Sequence, residues 1–192
     1  MKLLLPTILC LSLLGCRARE AATPAEAHAR LVAAVAAHDD AKLWTALDLE
    51  TRWSWMTIQR AWREAYDITQ SVVPDGPERT RLLARFEPGA TTEDAQALFA
   101  RMLTQDEWTR TQALLAAAGS RQPPSPGERT TVELATQAGP LLYRKGDQWH
   151  PGWGYAGLAE RAEQLKLAAT VDLERMRKDA ADYERAAARG TK

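Results

Sequence analysis

Few residues of this 192-residue chain could do chemistry, and they are scattered. Gly152-Trp153-Gly154-Tyr155-Ala156-Gly157 has the spacing of the glycine fingerprint that seats a dinucleotide pyrophosphate on a helix N-terminus. That chemistry needs a buried strand before the glycines and further parallel strands after the helix. Here the preceding strand is short and polar, Pro151 interrupts it and nothing β-like follows, so the glycines read as a tight strand-to-helix turn. His28, His38 and His150 are too far apart to give a metal-ligand spacing, and neither a metal nor a cofactor is expected. His150, beside Trp149, is the candidate general base, with Asp67 or Asp147 as the carboxylate that would orient it. Common nucleophile, zinc and phosphate-loop motifs do not occur. The seven Trp suit core packing first and ligand stacking second, and Trp53, Trp55, Trp62, Trp149 and Trp153 are the candidate pocket or interface aromatics. On a helix Trp53 and Trp55 point about 200° apart, so one of them must face away from the core.

Twenty-five basic residues balance 25 acidic ones, which argues against a nucleic-acid binder, because such proteins carry a basic excess or stripe. Met1 and Lys2 open the chain, Leu3 to Leu14 is an apolar run broken by Pro6, and Gly15 precedes Cys16. The run falls short of the ~20 apolar residues that span a bilayer, so it reads as a removable signal segment. Leu13-Leu14-Gly15-Cys16 resembles the lipobox of bacterial lipoprotein signal peptides. That resemblance implies cleavage before Cys16, acylation of Cys16, and attachment to a membrane without spanning it. Arg17 stands where lipoproteins retained in the inner membrane typically carry Asp, which implies the outer membrane, facing the periplasm. With Cys10 removed and Cys16 acylated, no thiol is left for a disulfide, so packing must stabilise the fold. Loss of Lys2 leaves 24 basic against 25 acidic residues, a mature net charge of about −1.

The elements that must position these residues begin after a polar tether, so the chain divides into residues 1–15, 16–23, 24–155 and 156–192. Thr23-Pro24-Ala25-Glu26 is a helix start, followed by the stripe Leu31, Val32 and Val35. Asp39 and Asp40 can cap a short second helix facing inward through Leu43, Trp44 and Leu47. Spacings of three and four predict a helix from about Thr51 to Val73, stopped by Pro74-Asp75-Gly76-Pro77. A short piece with Leu82, Leu83 and Phe86 is expected to end at Pro88-Gly89, and Thr91 or Thr92 to open the next helix. Thr104 to Glu107 is a capping box whose helix ends at Gly119. Alternation at Thr131 to Ala135, with turns at Gly139-Pro140 and Gly146-Asp147, predicts two or three short strands that must lie on the helices. The fold class is therefore helix-rich α+β: five or six helices, then a small antiparallel hairpin or three-stranded sheet, then a long C-terminal helix. Its stripe of Leu158, Ala162, Leu165, Ala169, Leu173, Met176, Ala180, Tyr183 and Ala187 is close to a coiled-coil seam. That helix must pack back along the domain, meet a partner or a second copy, or project.

Leu43 to Leu47 as Leu-Trp-x-x-Leu, the Thr51-Arg52 helix entry, and a late hairpin with a Gly-Asp-x-Trp turn resemble NTF2-like envelope lipoproteins. That resemblance implies a curved sheet wrapped by helices around a pocket. Two functions are thus expected: a membrane-anchored, non-enzymatic binding or scaffold module, or an NTF2-like pocket for a small molecule or peptide with weak acid-base catalysis at His150.

Overall fold

Each early helix starts where a side chain can accept the first free backbone N–H groups. Thr23 caps α1 (Pro24–Ala36), Asp39 caps α2 (Asp40–Ala46) and Asp48 caps α3 (Leu49–Val72), each accepting from the N–H three residues on. A computed structural model describes residues 21–137, 139–146, 148–152 and 158–190. The chain continues through α4 (Pro77–Thr91), α5 (Ala95–Met102) and α6 (Gln105–Ala118). The strands β1 (Thr131–Thr136), β2 (Gly139–Lys145) and β3 (Trp149–Gly152) follow, and then α7 (Leu158–Gly190). Among the described residues, six helices thus precede a three-stranded antiparallel sheet and a long last helix, the helix-rich α+β class that the pattern predicts.

Helix α3 is the hub. It packs against α4, α5 and α7, and buries Trp55, Ile58, Ala61, Trp62 and Ala65. Trp55 meets Phe99 of α5 edge-on, with ring centroids 5.6 Å apart. The sheet, ordered β1-β2-β3, covers α1. Its inward row pairs Val132 with Tyr143 and Leu134 with Leu141, as the two-residue period of a half-buried sheet requires.

Three helix boundaries differ from the sequence expectation. Helix α3 begins at Leu49, because the Asp48 carboxylate bonds both the Thr51 N–H, at 2.7 Å, and its hydroxyl. Asp94, not Thr91 or Thr92, caps α5. Helix α4 runs through Pro88-Gly89 rather than ending there. Tertiary packing overrides the local stop: Gly89 is buried on Trp62, and a Cβ at Gly89 would fall 2.5 Å from the Trp62 Cβ. The expected end of α6 is observed, with Gly119 left-handed at φ 61°.

Helix α7 runs parallel to α3, since Ser54 meets Glu163 and Glu64 meets Arg177. Ala162, Ala169, Leu173 and Met176 are buried, so the seam packs back on the domain. Its 33 residues span about 50 Å against about 36 Å for the 24 of α3, and residues 181–186 are exposed.

Candidate functional site

The first turns of α3, the β2–β3 hairpin and the start of α7 enclose a cleft of about 640 Å³. Trp53 and Ser54 come from α3, Arg144, Lys145 and His150 from the sheet, and Lys166 from α7. The register explains part of the grouping: Arg144 pairs with His150, which places that cation beside the histidine, while Lys145, the next residue of β2, pairs with Trp149 and reaches the cleft at its hairpin end. Asp48 and Glu50 add two carboxylates to the wall.

Most of the polar groups here are already engaged. Asp48 is committed to Thr51 as the α3 cap. Glu163, behind the wall, accepts from Lys166 and from the buried Ser54 hydroxyl. The hydrogen bonds from Lys166 and then Ser54 hold its carboxyl below the usual glutamate range. Arg144 and Lys145 are exposed, and no ion pair with another described residue ties either of them down. The cleft therefore offers an aromatic face and two uncommitted cations, an arrangement suited to recognising an anionic group attached to an apolar body.

The predicted site residues separate. Trp53 is 60% exposed on the cleft, whereas Trp55, 1% exposed, sits in the core. Trp62 and Trp149 are also core residues, the first under Gly89 and the second with its backbone N–H on the Ala21 carbonyl. His150 forms part of the cleft wall and is itself buried. Asp67 lies fourteen residues beyond Trp53 on α3, about 21 Å along the axis, so it is not brought to His150. Cys16, Asp147 and Trp153 lie outside the described residues. Of the glycine fingerprint only Gly152 is described, at the end of an antiparallel strand. Among the described residues no group of His, Cys, Asp and Glu could hold a metal ion, and no helix is long and apolar enough to cross a membrane.

Two buried polar links escaped sequence reasoning. His28 Nδ1 lies 2.5 Å from the Tyr143 hydroxyl, between α1 and β2. Burial lowers the His28 pKa and raises that of Tyr143, which favours a neutral imidazole beside a protonated phenol, the two sharing one hydrogen bond. The one signal for it was the position of His28 on the Ala27, Leu31 and Val35 face. Glu107 of the α6 capping box also receives Arg161 of α7. Burial would raise its carboxyl, but Arg161 and the Thr104 N–H and hydroxyl outweigh that and lower it.

Fold and site together define a helix-rich α+β domain with a cation-walled aromatic cleft beside the point where its N-terminal segment joins. No protein-family model matches the chain, and neither does any curated protein or solved structure.

Proposed function

We propose that the chain is a lipoprotein of the bacterial envelope, mature from Cys16 and acylated there, whose domain is a non-enzymatic binding module that uses the Trp53 cleft. The observation that carries the reading is the cleft itself, where Trp53 continues the exposed apolar run of Leu49 and Met56 beside Arg144 and Lys145, two cations without an ion pair among the described residues, because contiguous exposed apolar patches mark recognition surfaces. Binding is favoured over catalysis because the buried Ser54 hydroxyl is committed to Glu163, not to the imidazole of His150. The seam of α7 is occupied by α3 as far as Met176, so the cleft is a better recognition surface than that seam. Outer-membrane placement follows from the lipobox and Arg17.

The reading is tested in the native host. Wild-type chain should stay in the membrane fraction through a high-salt wash, and a Cys16→Ser variant should be released by it. Retention of the variant in the membrane, resistant to salt, would count against acylation as the anchor.

A further inference from the structure

The chain enters the described domain at Ala21, and the entry point is fixed. The Ala21 N–H donates to Gln148 Oε1 at 2.9 Å, and its carbonyl accepts from the Trp149 N–H at 3.0 Å. Trp149 pairs in turn with Lys145. Two strand spacings, about 10 Å, therefore separate Ala21 from the backbone of the cation row. Cys16 precedes Ala21 by five residues, which reach at most about 18 Å however they run. An acyl group on Cys16 would hold the cleft rim close to the bilayer.

The surface around the cleft is apolar beyond what a small soluble ligand would need. Leu49, Trp53 and Met56 form an exposed stripe on α3. A second groove of about 420 Å³ shares Thr57 and Lys166 with the cleft and continues the apolar surface to Leu167, which is 67% exposed. Val171, one turn on, is exposed as well. Aromatic and aliphatic side chains beside Lys and Arg are what an interfacial surface requires, with the apolar groups at the headgroup boundary and the cations on phosphates. The acids facing this surface are Asp48, Glu50 and Glu163. Asp48 is held by Thr51 and Glu163 by Lys166, which leaves Glu50 against Arg144 and Lys145.

We infer that the Trp53 cleft docks the domain on the bilayer that carries its anchor, with an anionic phospholipid phosphate on Arg144 and Lys145 and the indole at the interface. The inference rests on the anchored reading above for the nearness of the membrane, but its test does not need the anchor. A chain beginning at Arg17 retains every described residue and lacks Cys16. It is mixed with vesicles of phosphatidylglycerol and phosphatidylethanolamine, or of phosphatidylcholine alone, and sedimented.

The expected result is binding to the anionic vesicles that weakens with salt, with Trp emission quenched by brominated acyl chains. Arg144→Ala and Lys145→Ala should each weaken it about five-fold. Trp53→Phe should remove most of the quenching. All three positions are exposed, and unchanged circular dichroism would verify the fold. Three results overturn the inference: no sedimentation with anionic vesicles, equal binding to phosphatidylcholine, or variants that bind like wild type. Saturation of the cleft by glycerol phosphate without vesicle binding would overturn it too, in favour of a soluble ligand. Failure here leaves acylation of Cys16 standing, and an unacylated native protein leaves the vesicle result standing.

Discussion

Trp53 and Trp55 are two residues apart and differ almost completely in environment. Replacing Trp55, which fills the space against Phe99, with Ala should cost about 3–5 kcal/mol in urea unfolding. Trp53→Ala should change stability by less than about 0.5 kcal/mol. The sequence shows that these two rings diverge, since helical geometry alone demands it. Which ring faces inward depends on α5 and α7 arriving on one side of α3, and that information lies far along the chain. The His28–Tyr143 pair is illegible for the same reason, being 115 positions apart. Its effect on stability has a definite sign. Burial puts the folded-state pKa of His28 below the ordinary histidine value of 6.5, so the unfolded chain takes up the proton first as pH falls. Stability should be complete above about pH 6.5 and decline below it, by at most about 1.4 kcal/mol per pH unit. His28→Gln should flatten that decline in unfolding curves measured across the range, and an equally steep decline in the variant would assign it to other groups.

At the scale of elements, close approach between helices decides what local signals cannot. Pro88-Gly89 is a stop signal by composition, yet α4 continues to Thr91 because Gly89 lets it approach Trp62. Gly89→Ala tests this directly. In an exposed helix the change would stabilise by up to about 1 kcal/mol, whereas here overpacking against the Trp62 Cβ should destabilise by about 1–3 kcal/mol. A higher melting temperature for the variant would show that α3 and α4 can separate freely. The caps at Thr23, Asp39 and Thr104 were legible because each is written within four consecutive residues. The α7 seam was legible too, but not its partner, which is α3 of the same domain.

For the whole molecule, the order of elements follows from the sequence, while the cleft comes from three segments that no local pattern connects. Trp53, the hairpin cations and Lys166 meet because α7 returns parallel to α3 and the β2–β3 hairpin reaches the first turns of α3. That return brings Leu49 and Trp53 of the exposed stripe together with the hairpin cations, and β3, next to the hairpin, receives the N-terminal entry at Ala21. A binding module carried on a short lipid tether accounts for all three. The intact mass of the protein purified in detergent from its native host tests this most directly. The account predicts a chain that begins at Cys16 and carries added acyl mass; a chain without acyl mass, or one that keeps residues 1–15, would contradict it.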